Sequence, residues 1–183
     1  MKKTNLVVFS GSNKPNFYDD IYLELKNIAD NLDVKKYNLW YGGGEAGLMG
    51  IIPYNYNLRG GEVFSVDAKQ FVENYGSASF GKTYIMDTFN ERQNNLLSKG
   101  DIFLCLPGGV GTMSELFDVL VDNDVNKKNS KIIIYSYNNF YKDIIKFIEE
   151  KSKEGFIKSD NLDNIQIFSK SEDIFNFLNN FSK

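Results

Sequence analysis

The sequence predicts a doubly wound α/β fold: a mainly parallel sheet with helices on both faces. Three observations predict it. Short apolar runs rich in β-branched residues alternate along the chain with stretches of helical periodicity. Several runs, such as "DIFLCLP" (101–107) and "KIIIYS" (131–136), are apolar without alternation, as strands buried on both faces must be. Three of the runs meet glycine-rich loops, and in such sheets ligands bind beyond the carboxyl ends of the strands.

Taken in order, "NLVVFSGS" (5–12) is a strand ending in a Gly/Ser loop. "YDDIYLELKNIADNL" (18–32) sets Ile21, Leu25, Ile28 and Leu32 at helical spacing. "YNLWYGGG" (37–44) is a short strand meeting three glycines. "GLMGIIPYNYNLRGG" (47–61) reads as a helix in which Pro53 fits only near the start or at a kink. "EVFSV" (62–66) is a strand. Residues 67–82 read as a variable excursion, a short helix and a Gly/Ser loop. "TYIMD" (83–87) is a short strand, and "TFNERQNNLLSKG" (88–100) a helix with a capping box from Thr88 and Glu91. After the strand at 101–107 come a helix at 112–124, a strand at 131–136 and an amphipathic helix at 140–155. A strand at 165–169 and a helix at 171–182 close the pattern.

The bulk composition narrows the function. The 183 residues suit one domain spanning 1–183, and the 42% apolar content is that of a globular chain. A net charge of −3 argues against a nucleic-acid binder. No apolar run approaches the ~18 residues of a membrane span. The N-terminus reads as a first strand, not a signal peptide. Cys105 is the sole cysteine, so no intrachain disulfide forms, which fits a reducing, cytoplasmic setting. There is no histidine. Ser-His-Asp triads, Cys-His pairs and His-ligated metals are therefore excluded within the chain, and proton transfer falls to carboxylates, Tyr, Lys, substrate or water.

Two motifs carry the chemistry. In "YGGGEAGLMG" (41–50), consecutive glycines let the backbone approach a ligand, and free N–H groups at the next helix start favour an anion. A tight turn requiring positive φ explains the same residues structurally. In "CLPGGVGTMSEL" (105–116), Thr112 and Glu115 have the spacing of a capping box if a helix starts after Thr112. The alternative places Gly109, Gly111 and Thr112 around a phosphate, with Glu115 facing the sugar. Spacing alone leaves both open. Arg92 is either a solvated side chain or, if turned to the carboxyl edge, a clamp for an anion.

The two motifs, in this order, resemble the LONELY GUY family, also labelled lysine decarboxylase-like. Its hallmarks, G-G-G-x-x-G-L-M-G and P-G-G-x-G-T-x-x-E, are similar to "GGGEAGLMG" (42–50) and "PGGVGTMSE" (107–115). The resemblance implies a Rossmann-like domain, a homodimer or higher homo-oligomer, and a nucleoside 5′-monophosphate phosphoribohydrolase. Such an enzyme releases a free base and ribose 5-phosphate, with a cytokinin riboside monophosphate, AMP or another nucleotide as substrate, and uses neither metal nor cofactor. It implies Glu115 and Arg92 as the catalytic pair. It further implies Gly108, Gly109, Gly111 and Thr112 as the phosphate loop, and Ser12, Gly43 and Gly44 as ligand-lining positions. A nucleotide sensor without turnover and a nucleoside (deoxy)ribosyltransferase are the competing readings. The chain departs from the family at Phe89 and Gln93, where Met and Lys are usual, and at Glu45, often small or neutral.

Overall fold

The computed structural model describes residues 3–181. Its sheet has seven parallel strands: β1 (Thr4–Phe9), β2 (Tyr37–Tyr41), β3 (Glu62–Ala68), β4 (Lys82–Met86), β5 (Ile102–Cys105), β6 (Lys131–Tyr135) and β7 (Ile165–Phe168). Their spatial order is β4-β3-β2-β1-β5-β6-β7. The chain builds outward from β1 in one direction, then returns to lay β5 against the other side of β1. Strand order reverses between β1 and β5, the position where open α/β sheets leave a crevice at their carboxyl ends.

Register follows from burial. Leu6 pairs with Leu39 on one side and Ile102 on the other. Leu6 and Val8 point to one face, Val7 and Phe9 to the other. The first face is covered by α1 (Tyr18–Asn31), α2 (Ile51–Leu58) and α8 (Ser171–Asn180), through Ile21, Leu25, Ile28, Ile52, Tyr56, Ile174 and Leu178. The second is covered by α4 (Phe89–Lys99), α5 (Val110–Asn126) and α6 (Lys142–Lys153), through Leu96, Leu116, Val119, Leu120 and Ile148. Because both faces are covered, the strands need no polar side, which explains the unbroken apolar runs. Two of the buried tyrosines tie the layers to backbone: Tyr37 donates to the Leu178 carbonyl at 2.6 Å, and Tyr141 to the Leu106 carbonyl at 2.6 Å. The second bond anchors the chain just before the Pro107 loop.

Three details differ from the sequence expectation. β3 runs on through Asp67 and Ala68, and α3 (Lys69–Tyr75) follows directly, because Asp67 and Ala68 stay in register with Ile85 and Met86 of β4. α2 starts at Ile51 rather than 47, so Pro53 lies in the first turn, where its missing N–H costs no helical bond. α5 starts at Val110 with Gly109 as its N-cap and no side-chain cap. Thr112 and Glu115 thus lie inside the helix, and the capping-box reading of that pair is corrected. A short α7 (Ser159–Leu162) precedes β7.

The other capping box is present in full. Glu91 N–H donates to Thr88 Oγ1 at 3.2 Å, and Thr88 N–H to Glu91 Oε2 at 3.0 Å. Thr88→Ala should therefore lower unfolding stability by about 1 kcal/mol in urea titrations. An unchanged midpoint would mean that the cap contributes nothing to α4.

Candidate active site

The three glycine loops meet at the carboxyl edge, around the β1/β5 reversal. Gly11 N–H donates to the Pro107 carbonyl at 3.1 Å, and Leu48 N–H to the Gly11 carbonyl at 3.0 Å. Gly108 allows the closest approach: a Cβ there would stand 2.2 Å from Thr112 Oγ1 and 2.8 Å from the Gly11 nitrogen. Gly109 and Gly111 are different. A Cβ on either would meet nothing within 4 Å, and neither has positive φ. Neither packing nor positive φ accounts for Gly111, and glycine within a helix costs about 1 kcal/mol relative to alanine, whereas Gly109 stands at the N-cap, where glycine is favoured over alanine. They keep open the exposed N-terminus of α5, whose first turn has neither a side-chain cap nor an acidic residue. Such a terminus favours anions. Thr112 is 3% exposed and packs beneath this turn against Gly108.

Beside it stands a buried ion pair. Arg92, from α4, is 7% exposed. Its Nη2 and Nε donate to the Gly42 carbonyl at 2.8 and 3.3 Å. Its Nη1 donates to Gln93 Oε1 and, at 3.4 Å, to Glu115 Oε1. A guanidinium has five N–H donors, so these four bonds leave one proton, on Nη2. Arg92 thus ties the glycine turn after β2 to the carboxylate on α5. Gly42 is required by this contact, since a Cβ there would lie 1.9 Å from Nη2. Two family departures acquire local roles here. Phe89 places its ring 5.8 Å from the Arg92 guanidinium carbon, a cation–π distance. Gln93 accepts from Arg92, where a lysine would add a second positive charge.

Burial pushes the Glu115 carboxyl up to about 7; Arg92 opposes that rise, and Asp118 adds to it by like-charge repulsion. Glu115 therefore titrates near neutrality, as an acid–base or charge-stabilising group requires. Behind it a void of about 10 Å³ is lined by Phe9, Gln93, Leu96, Leu97, Glu115 and Asp118.

Of the other expected residues, Gly43 and Gly44 sit at φ +80° and +75°, where L side chains are strained. Ser12 is exposed, and its carbonyl packs close to Gly47. Ser10 was not among the expected residues, yet its buried Oγ has no hydrogen-bond partner among the described residues. Asp67 was missed as well. It ends β3 at 3% exposure, with Oδ2 close against Gly43. Its sequence signal was an aspartate directly after the run "VFSV". Glu45 is engaged by the 76–81 loop: its Oε1 accepts from Ser79 N–H, which holds its carboxyl below the usual range. Phe80, the next residue, stacks on Tyr41 at 6.1 Å. Among the described residues no group of three or more His, Cys, Asp or Glu could hold a metal, and no helix is long and apolar enough to cross a membrane.

Fold and site together define a Rossmann-like α/β protein with a glycine-lined, open helix N-terminus beside an Arg–Glu ion pair. Residues 49–178 match the family described as "Possible lysine decarboxylase", and the chain belongs to that family. Among curated relatives, it is 30% identical over 157 residues to cytokinin riboside 5′-monophosphate phosphoribohydrolase LOG2 of Arabidopsis thaliana, covering 84% of this chain and 72% of that protein. It is 28% identical to LOG5 of the same plant, covering 81% of this chain but 64% of the relative. The phosphoribohydrolase of Rhodococcoides fascians is 33% identical over 124 residues, covering 67% of this chain and 63% of that one. The chain thus spans somewhat under two thirds of the length of some relatives. Solved structures share the fold: the Moco carrier protein of Chlamydomonas reinhardtii superposes with a TM-score of 0.69 at 13% identity, covering 97% of this chain and 96% of that one. The molybdenum cofactor binding protein of Rippkaea orientalis gives 0.66 at 18% identity, covering 98% and 97%.

The raised Glu115 carboxyl yields a stability prediction. Below its ordinary value of 4.5 the group is neutral in both folded and unfolded chains. As pH rises from there towards 7, the unfolded chain releases the proton first and the native state loses stability. The stability of the parent chain relative to Glu115→Gln should therefore fall by roughly 2–3 kcal/mol across that window, measured by denaturant unfolding. A difference that does not change with pH would show that Glu115 titrates normally.

Proposed function

We propose that the chain is a nucleoside 5′-monophosphate phosphoribohydrolase. The observation that carries this reading is the Arg92–Glu115 ion pair beside a helix N-terminus that has no side-chain cap and whose Gly111 is required by neither packing nor positive φ. The cytokinin riboside 5′-monophosphate phosphoribohydrolases at about 30% identity support the same reaction class.

The 5′-phosphate is held by the first N–H groups of α5, with Gly109 and Gly111 leaving it room and the α5 dipole favouring its charge. That fixes the sugar within reach of Glu115. The N-glycosidic bond then breaks through an oxocarbenium-like state. Ionised Glu115 stabilises the positive charge at C1′ or orients the attacking water. The bonding electrons leave with the base, which takes up a proton. Water adds its oxygen to C1′ and releases the balancing proton, giving free base and ribose 5-phosphate. Arg92 holds Glu115 and the Gly42 turn in place, and it keeps one Nη2 proton that these contacts do not use. A decarboxylase through a lysine Schiff base does not fit: no lysine is buried among the described residues, so the site offers no desolvated amine.

Incubation with a panel of nucleoside 5′-monophosphates, followed by chromatography, should show free base and ribose 5-phosphate from at least one of them. Glu115→Gln should lower kcat by at least about 10²-fold with the fold intact. Because Glu115 must be ionised, kcat/KM should rise with pH to an inflection near 7 in the parent chain, and that inflection should vanish in Glu115→Gln. Tight binding without base release would favour a sensor, and base exchange that needs an added base would favour ribosyl transfer. Either result overturns hydrolysis.

A further inference from the structure

Asp67 is a buried carboxylate that the reaction above does not use. Its Oδ1 accepts from the Ala68 N–H at 2.9 Å. Its Oδ2 accepts no hydrogen bond among the described residues, although the residue is 3% exposed. Burial raises its carboxyl above the usual range, while the Ala68 N–H and Arg92 oppose that rise. Oδ2 is not among the fully enclosed polar atoms without a partner, which are Ser10 Oγ, Tyr41 Oη and Asn95 Oδ1 among the described residues, so a donor from outside the protein can reach it, and a charged acceptor kept open in this way asks for a reason.

Its position supplies the reason. Tyr41 pairs with Ser65 across β2 and β3, so Asp67, two residues on, stands beside Gly43 at the carboxyl edge. Oδ2 is so near Gly43 that a Cβ there would lie 2.4 Å from it. The glycine turn therefore rests on two charged groups: Gly42 on Arg92 and Gly43 on Asp67. The Asp67 side chain is an acceptor, and the cradle at α5 is a set of donors. An anionic group suits α5. Asp67 suits the opposite chemistry.

We infer that Asp67 is a specificity-determining residue whose Oδ2 receives a hydrogen bond from a donor on the ligand, either the ribose 2′-hydroxyl or an exocyclic amine of the base. The inference rests on the phosphoribohydrolase reading for the nature of the ligand. The site thereby favours ribonucleotides over 2′-deoxyribonucleotides, or amino-bearing bases over oxo-bearing ones. A 2′-deoxy sugar leaves Oδ2 unpaired, and an oxo group sets an acceptor against an acceptor. Either mismatch weakens binding by about tenfold or more, the range for hydrogen bonds to charged groups.

The test is calorimetric binding in the Glu115→Gln protein, which keeps the ligand intact during titration. The probes are adenosine 5′-monophosphate, its 2′-deoxy analogue and inosine 5′-monophosphate. At least one analogue should bind about tenfold or more weakly than adenosine 5′-monophosphate. Which one it is separates the sugar source from the base source. Adding Asp67→Asn keeps the acceptor for Ala68 but turns Oδ2 into a donor, and should abolish that discrimination. Equal binding of all three nucleotides with Asp67 intact overturns the inference without any variant at position 67. So does discrimination that survives Asp67→Asn, and so does absence of binding at millimolar concentration. Base release by the parent chain judges the hydrolase reading separately. Hydrolysis with equal binding sinks Asp67 alone, and discrimination without hydrolysis sinks the enzyme reading alone.

Discussion

The site depends on one guanidinium. Arg92 comes from the helix after β4, yet it bonds to the carbonyl of Gly42 after β2 and to Glu115 in the helix after β5. Three crossover units are thereby tied at one point, at the edge where strand order reverses. Burying an arginine is expensive unless its donors are met. Here two carbonyl contacts, an amide and a carboxylate meet them. The arrangement makes Gly42 obligatory, orients Glu115, and leaves a carboxyl that burial lifts and Arg92 only partly restrains.

The electrostatics are divided by place rather than averaged. Positive potential for an anion comes from the backbone at the start of α5, not from side chains. The carboxylates lie to the side: Glu115 with Arg92, Asp67 beneath Gly43, and Glu45 drawn off to Ser79. A chain with a net charge of −3 and an acidic residue in a glycine loop thus still leaves the start of α5 free of acidic side chains in its first turn. Glu45 was the most discordant residue in the motif. Its carboxylate instead fastens the 76–81 loop over the glycine turn, with Phe80 stacked on Tyr41.

Much of this was legible in the sequence, because period and punctuation carry it. The unbroken apolar strands, the helix at 88–100 with its Thr88–Glu91 box, and the meeting of three glycine loops all follow from local residue choice. What was not legible depends on neighbours distant in the chain. The start of α5 was misplaced because Gly109 serves as N-cap without a side chain, so Thr112 looked like the cap. Asp67 was lost in an assumed excursion. Whether a strand-end aspartate is buried against a glycine turn is decided by the packing of β3 beside β2, not by its own neighbours. Ser10 was not singled out for the same reason, since the burial of its Oγ is decided by packing rather than by its neighbours in the chain.

Phosphoribohydrolase chemistry at this site requires a nucleotide placed across the α5 N-terminus and the Arg92–Glu115 pair. A crystal structure of the Glu115→Gln protein with a nucleoside 5′-monophosphate bound measures that placement directly. Phosphate oxygens should lie within hydrogen-bond distance of the first α5 N–H groups, at Val110 to Thr112, with the ribose C1′ facing the side chain at position 115. A phosphate seated elsewhere, or a C1′ turned away from position 115, would contradict that placement.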